Sequence, residues 1–556
     1  MAPPSTPADP RTAWGPLPPR GLPWPAAIAS LALLALTAAL IGRMRALTEG
    51  HFVYPLDDSY IHMAIARTMA RHGSWGLTAG QFEPASSAPL WTLSLAGLYR
   101  LGGIHDWGPV ALAALSSVML IVLGERILRP YFATPLVLAL VLLGIACVVP
   151  LPALIVTGME APLHAFLTLL LSWIVVRRAV DPRAHPDAAD PAFDLGVGAL
   201  ALLCVLTRFE SAFLTAVLAG AAWVKGQRWT ALALAAGTLA ALVGYAAVAL
   251  PRGGLWLPNA VLLKSGVARL DSRAAWIGFL LQVPVQLTRR YNTHVTALLL
   301  AAVYLLLPRP AIASRKAAVA RGLLAVFASA TLAHVQFAWL GSFYRYEAYL
   351  VTLGAFAIVA AVAAGLGAPP RVARPWRGPL RVAVALGWAV IILPPVARAM
   401  GSIQRAPIAS RNIYEQQFQM GHFVRDAFDG QAIAVNDIGA VGYFGESPIV
   451  DLVGLATTSV ARAKRARTYD PDTIERLCRE RGVRVALVYE SWFRSMGGLP
   501  RPWRRVGRWT IRDNFICGDV TVSIFATDAR DAGRVREALR AFSARLPRRV
   551  SADVPG

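Results

Sequence analysis

YPLDDSYIHMAIARTMARHGSWGLTAGQFEPASSAPLW, residues 54–91, begins soon after the first apolar run of the chain and carries the adjacent acids Asp57 and Asp58. Apolar residues recur every four positions from Ile61 to Met69, which predicts a helix with one apolar stripe. We expect a half-polar helix beside a membrane span to lie in the interface, with its first residues at the membrane–water boundary. These acids could simply cap the helix. One cap needs only one acid, so the pair indicates a further use.

The composition is that of a polytopic membrane protein. Of the 556 residues, 56% are hydrophobic and only 16% are charged, and the mean hydropathy is +0.50. The formal net charge of +23 would suit a nucleic-acid partner. Membrane proteins, however, concentrate Lys and Arg in their cytoplasmic loops, so no nucleic-acid partner is predicted.

Apolar runs divide the chain into a tail and a membrane domain. Residues 1–24 predict a disordered cytoplasmic tail, and residues 25–397 a transmembrane domain of about eleven helices. The first span, about Leu22 to Ile41, is too long for the core of a signal peptide. The short apolar segment Pro89 to Leu101 is predicted to be re-entrant or interfacial. The later predicted spans are 107–125, 133–150, 163–177, 194–207, 211–224, 229–250, 293–307, 320–340, 347–366 and 379–397.

Basic residues set the predicted orientation. With the N-terminus inside, each loop predicted to be cytoplasmic is basic, as the positive-inside rule requires. Counting the segment Pro89 to Leu101 as a full span would turn these loops outward. The basic residues are Arg126, Arg129, Arg177, Arg178, Arg183, Lys225, Arg228, Arg309, Arg315, Lys316, Arg321, Arg371, Arg374, Arg377 and Arg381.

The composition of residues 398–556 predicts a soluble α/β domain. An odd number of spans places this domain on the extracytoplasmic side. Short β-like stretches occur at Ala432 to Val435 and Val483 to Val488. Between them, Asp470 to Arg481 predicts a helix with an aspartate cap and Pro in its first turn. An exported domain also permits a disulfide, and the two cysteines of this domain are Cys478 and Cys517.

Three glycines follow the first of these strands, at Gly439, Gly442 and Gly445. Their spacing is not that of a dinucleotide-binding loop, and no nucleotide pool exists outside the membrane. We therefore predict that they form turns.

With this topology, every predicted outer loop contributes ionisable residues at one membrane face. Ionisable groups in or beside membrane spans are costly, so they are usually functional or paired. Alternatively, Arg208 pairs with Glu210 and Arg345 with Glu347 as structural bridges, and the loop-tip residues are simply solvated. The residues concerned are Asp57, Asp58, Glu160, Arg208, Glu210, Lys264, Arg345 and Glu347.

Carboxylates and separate cations in one cavity suit sugar transfer. A carboxylate accepts the proton of a hydroxyl while its oxygen attacks a sugar carbon, and cations neutralise a departing phosphate. A donor sugar carried on a lipid phosphate would place such a site at the membrane surface.

Several segments in register resemble the GT-C superfamily of integral-membrane glycosyltransferases. The resemblance is to enzymes that use polyprenyl-phosphate sugars outside the cytoplasmic membrane, and most of all to arabinofuranosyltransferase-like enzymes of bacterial envelopes. It implies a mainly α polytopic protein with an extracytoplasmic α/β domain in the bacterial cytoplasmic membrane. The segments are DDSYIHMAIARTMARHGSWGL, SSAPLWTLSLAGLYRLGG, TGMEAPL, LTRFE, LPNAVLLKSG, RYEAYL, NDIGAVGYFG and DLVGL.

The resemblance also implies roles for particular residues. Asp57 is the implied general base, and Asp58 orients the acceptor or helps to bind a divalent metal, which is left open. Lys264 and Arg345 are implied ligands of the donor phosphate. The remaining candidates for substrate binding are Glu160 at the sugar, Arg208 and His62.

The resulting hypothesis is an inverting membrane glycosyltransferase. Its partners would be a polyprenyl-phosphate sugar, a glycan, lipid or protein acceptor, and membrane lipids. Two alternatives stay open: a transporter or flippase of lipid-linked sugars, and a non-catalytic envelope assembly factor.

Overall fold

The computed structural model describes residues 24–181, 189–264, 272–307, 314–366 and 377–555. Of the predicted tail, only Trp24 lies within these ranges. Four of the basic residues of the predicted cytoplasmic loops lie outside them: Arg183, Arg309, Arg371 and Arg374. The helices are α1 (Trp24–Leu47), α2 (Asp57–His72), α3 (Pro89–Gly102), α4 (Gly108–Leu128), α5 (Pro135–Val148), α6 (Leu151–Val156), α7 (Ala161–Ala179), α8 (Pro191–Thr207), α9 (Ser211–Val224), α10 (Arg228–Ala249), α11 (Asn259–Lys264), α12 (Arg273–Leu280), α13 (Gln282–Thr288), α14 (Thr293–Leu306), α15 (Arg315–Phe337), α16 (Ala348–Ala363), α17 (Arg377–Ile413), α18 (Gln419–Phe428), α19 (Gly439–Phe444), α20 (Thr458–Ala466), α21 (Pro471–Glu480) and α22 (Ala532–Ser543). The strands are β1 (Ile433–Val435), β2 (Ile449–Asp451), β3 (Val485–Val488), β4 (Arg504–Ile511), β5 (Thr521–Ala526) and β6 (Val550–Asp553).

The chain is a multi-pass membrane protein, mainly α-helical, with a small α/β domain at its C-terminal end. A helix coincides with each of the eleven predicted spans. Within the described ranges, six helical segments are long and apolar enough to cross a membrane, and four apolar helices are shorter. The number of crossings therefore stays a prediction. The six segments are Trp24–Leu47, Gly108–Tyr131, Ala161–Ala179, Arg228–Arg252, Arg315–Phe337 and Val382–Phe428.

Helix α2 forms as its periodicity predicts, but water does not cover its polar face. It ends at Gly73, which adopts the left-handed conformation (φ 69°) and donates its N–H to the Met69 carbonyl. Every residue from Ser59 to Thr68 is buried, because α3 packs on one side of α2 and α19 on another. The helix is thus a joint between the membrane helices and the C-terminal domain.

The C-terminal domain is built on a mixed sheet of order β2-β1-β3-β5-β4-β6. Strand β1 lies parallel to both β2 and β3, and the remaining pairs are antiparallel. The predicted helix is confirmed as α21, where the Asp470 side chain accepts the Thr473 N–H at 2.8 Å. Cys478 and Cys517 are free thiols, buried in separate parts of the core.

One continuous helical rod joins the membrane domain to this sheet. Helix α17 passes through Arg398, the predicted domain boundary, and continues through a π-helical turn, Tyr414–Phe418, into α18. The boundary predicted at 398 thus lies inside a helix.

The glycines predicted as turns form a short helix instead, which is a correction to the sequence analysis. Gly439 and Gly442 belong to α19, and Gly445 follows its end. A Cβ atom on Gly439 would lie 2.0 Å from the backbone oxygen of Asp57. Close approach to α2, rather than a turn conformation, therefore explains this glycine.

Candidate active site

A cavity of about 630 Å³ opens beside the first turn of α2. Membrane helices, the loops that join them and the C-terminal domain all contribute to its wall. Most of its lining is apolar, from residues such as Phe213, Leu242 and Phe337, and a smaller part is polar. The charged and polar lining residues are Asp58, His62, Ser87, Arg208, Glu210, Arg345, Tyr346 and Arg465.

The two predicted acids face different partners. Asp58 lines the cavity and forms an ion pair with Arg345. The carboxylate of Asp57 points towards the C-terminal domain, where it accepts the N–H of Gly439 at 2.7 Å and of Ala440 at 2.8 Å. The structure therefore brings Asp58, rather than Asp57, to the cavity wall.

Burial raises the pKa of Asp57, and the nearby carboxylate of Asp437 raises it further. The hydrogen bonds from the Ala440 and Gly439 amides act in the opposite direction, because they stabilise the charged form. Asp437 is itself half-buried and accepts hydrogen bonds from Gln417 and Tyr489.

Arg345 is held by an unusual loop. The three residues before it, Ser342, Phe343 and Tyr344, all have positive φ (48°, 56° and 68°). Such conformations are costly for non-glycine residues and persist only where the surroundings enforce them. The Ser342 hydroxyl accepts a hydrogen bond from Arg345 at 2.9 Å, which fixes the guanidinium beside Asp58.

This loop is anchored by a buried carboxylate. Glu347 accepts hydrogen bonds from Arg398 at 2.6 Å and from the Gly341 N–H at 2.7 Å. The alternative that Arg345 pairs with Glu347 is wrong, because each has a different partner.

The second cation of the wall, Arg208, is tied to two carboxylates. It donates to Glu210 at 2.7 Å and to Glu160 at 2.5 Å. Of the two alternatives for these residues, the ion pair of Arg208 with Glu210 is thus present. Although burial raises the pKa of Glu210, Arg208 lowers it to about 2. Glu160 is fully buried behind the wall and is not among the lining residues.

Tyr346 lies between the two cations. The guanidinium of Arg208 is 4.7 Å from the centre of its ring and that of Arg345 is 5.2 Å away. Cation–π contacts of this kind hold both guanidinium groups towards the same space.

The imidazole of His62 lines the cavity one turn after the acid pair. Its Nδ1 lies 2.8 Å from the Thr92 hydroxyl and 3.3 Å from the Ser86 hydroxyl. Burial lowers the pKa of His62, so the ring is neutral and can act as a hydrogen-bonding group.

Lys264 ends α11, but its side chain lies outside the described part of the structure, so its predicted role as a phosphate ligand stays a prediction. Nowhere in the described ranges do three His, Cys, Asp or Glu side chains converge as metal ligands would.

Sequence reasoning missed Arg465, which reaches the cavity from α20 of the C-terminal domain. No local pattern distinguishes it from its basic neighbours. Only the folding of the C-terminal domain against the membrane domain brings it to the cavity.

Comparison with known proteins gives one family and several solved structures. Residues 411–525 match the family described as a domain of unknown function, DUF8728. No curated protein matches the chain in sequence. The crystal structure of ArnT from Cupriavidus metallidurans bound to undecaprenyl phosphate is 14% identical, with 92% of this chain and 99% of that chain covered and a TM-score of 0.49. The Archaeoglobus fulgidus oligosaccharyltransferase complex with zinc and sulfate is 12% identical, with 90% and 73% covered and a TM-score of 0.42. Likeness at these levels does not extend to substrate or mechanism.

Proposed function

We propose that this protein is an inverting glycosyltransferase of the GT-C type. It would transfer a sugar from a polyprenyl-phosphate donor to an acceptor hydroxyl of an envelope glycan, lipid or protein. The observation that carries the proposal is the ion pair of Asp58 with Arg345 on the wall of a mostly apolar cavity. This pair places a carboxylate and a cation side by side on the cavity wall, next to an apolar surface that suits an isoprenoid chain.

The reaction follows from these positions. A carboxylate of the acid pair accepts the proton of the acceptor hydroxyl, and the hydroxyl oxygen forms a bond to the anomeric carbon. The bond from that carbon to the phosphate oxygen breaks, and its electron pair stays on the polyprenyl phosphate. Arg345 and Arg208 stabilise the negative charge of the leaving phosphate, with Lys264 as the further ligand implied by the resemblance.

The position of Asp58 on the cavity wall favours it as the base. Asp57 is the base that the family resemblance implies, but both of its oxygens already accept backbone N–H groups. The variants Asp58→Asn and Asp57→Asn distinguish these assignments, because each removes one charge and keeps the shape of the side chain.

Neutral residues of the wall suit the sugar and the lipid. Trp256 and Trp339 are more than half exposed and line the cavity, and indole faces stack well on sugar rings. Arg465 supplies a cation from the C-terminal side. The proposed location is the outer face of the bacterial cytoplasmic membrane, where such lipid-linked donors are used.

The test is to follow release of polyprenyl phosphate from a panel of polyprenyl-phosphate sugars, with envelope glycans as acceptors. We expect one donor to support release, Asp58→Asn to lower turnover by about 10²–10⁴-fold, and Asp57→Asn to lower it less. The matched control is Asp528→Asn, which removes an exposed carboxylate of the C-terminal domain. If Asp57→Asn has the larger effect, Asp57 is the base.

Absence of release from every donor, with folded and lipid-binding protein, would contradict the transferase. A transporter of lipid-linked sugars or an assembly factor would then be favoured.

A further inference from the structure

Helix α19 of the C-terminal domain is held at both ends by α2 of the membrane domain. At its start, the Asp57 carboxylate accepts the N–H groups of Gly439 and Ala440. N–H groups in the first turn of a helix have no partner within the helix, so this carboxylate satisfies two of them. The anchor therefore joins a residue of the acid pair to the C-terminal domain.

Arg67, near the end of α2, binds the other end of α19. It donates to the carbonyl oxygens of Tyr443 at 2.6 Å, Gly445 at 3.0 Å and Gly442 at 3.1 Å. Its side chain is almost fully buried, with 8% of the residue exposed. Carbonyl groups at the end of a helix lack partners within the helix, so Arg67 does there what Asp57 does at the start.

The packing around α19 leaves no room for a side chain at either of its glycines. A Cβ atom on Gly439 would lie 2.0 Å from the Asp57 backbone oxygen and 2.7 Å from its carboxylate. On Gly442, it would lie 2.8 Å from a methyl group of Leu77. The contact at Gly439 is with backbone, so even alanine there would require movement of one helix.

We propose that the C-terminal domain of unknown function is a positioning element of the active site, which holds the acid pair in place through α19. The positioning residues of this contact are Gly439 and Ala440 on α19 and Arg67 on α2. Asp57 and Asp58 are consecutive in the first turn of α2, so an anchor on Asp57 holds the backbone from which both side chains extend. The contact of Asp57 with α19 therefore keeps this turn where Asp58 reaches Arg345 on the cavity wall.

This inference rests on the proposed transferase activity, and kinetics of the full-length protein test it. We expect Gly439→Ala and Arg67→Gln to lower kcat about tenfold or more, as misplacement of a reacting group does, and to leave KM for the donor unchanged. Arg67→Lys should recover part of the activity.

Each variant has a matched control. Arg71→Gln removes only an exposed ion pair with Glu446, one turn further along α2. Gly533→Ala adds a Cβ atom in open space on α22. Both should retain the kcat of the native protein. The inference would be overturned if Gly439→Ala and Arg67→Gln kept the kcat of the native protein. It would also be overturned if Arg71→Gln and Gly533→Ala lost as much kcat as they do.

Hydrogen exchange separates this inference from the activity. In the full-length protein, Asp57→Ala should speed exchange of the Gly439 and Ala440 amides and leave those of β3 and β5 unchanged. Unchanged exchange at α19 would overturn the inference whatever the activity. Faster exchange at α19 in Asp57→Ala, together with no release of polyprenyl phosphate by the native protein, would support the contact and contradict the proposed transferase.

Discussion

Arg345 and Asp58, 287 residues apart in the chain, form an ion pair on the cavity wall. The Arg345 side chain is 4% exposed and that of Asp58 is 28% exposed, so the carboxylate is the more accessible of the two groups. An anion that enters the cavity competes with Asp58 for this guanidinium. Binding of a donor phosphate would thus release the carboxylate for proton transfer.

Replacement of Arg345 should impair both binding and chemistry. Arg345→Gln is expected to raise KM for the donor and to lower kcat by about 10²-fold, because the charge on the leaving phosphate loses a stabilising cation. Arg345→Lys should be intermediate, since a lysine keeps the charge without the fixed fork of donors. Steady-state kinetics measure both constants. Arg530→Gln, at a highly exposed arginine of the C-terminal domain, is the control.

The Glu210–Arg208 pair predicts a loss of stability in acid. The pKa of Glu210 in the folded protein is about 2, below its ordinary value of 4.5. The pair therefore contributes fully above pH 4.5 and is lost as the pH falls towards 2. Thermal melting in detergent should show Glu210→Gln below the native protein by several degrees at neutral pH. A gap that does not narrow in acid would contradict this.

Asp437 should affect the lower pH limit of turnover only where Asp57 acts as the base. Its carboxylate raises the pKa of Asp57, so Asp437→Asn is expected to lower that pKa and to move the acidic limb of kcat against pH downward by about one unit when Asp57 is the base, and to leave the limb in place when Asp58 is. Asp528→Asn removes a distant carboxylate and should leave the limb in place. A limb that moves upward in Asp437→Asn would contradict the expected repulsion.

Glu347 should carry much of the stability of the loop that holds Arg345. Glu347→Ala leaves Arg398 buried without its carboxylate, which typically costs about 3–5 kcal/mol. Thermal melting of the detergent-solubilised protein measures the loss. The double variant Glu347→Leu with Arg398→Met should lose less, because it leaves neither charge unpaired. Equal melting temperatures for the single variant and the native protein would refute the role of Glu347.

Local patterns predicted the elements of this fold, and long-range contacts determined the site. Four-residue spacing predicts α2, and the cap and proline at Asp470 predict α21, because both signals lie within a few residues. The partner of Arg345 could not be predicted in this way, since Asp58 reaches it only through tertiary folding. The same holds for Glu160, expected near the sugar and found behind Arg208.

The helical rod from α17 through the π-helical turn to α18 has a mechanical consequence. The C-terminal domain is attached to the membrane domain by this rod and, independently, by the grip of α2 on α19. A domain held at two separate points cannot pivot freely about either one alone. We therefore expect substrates to enter and leave the cavity through movement of the loops around it rather than through rotation of the whole domain.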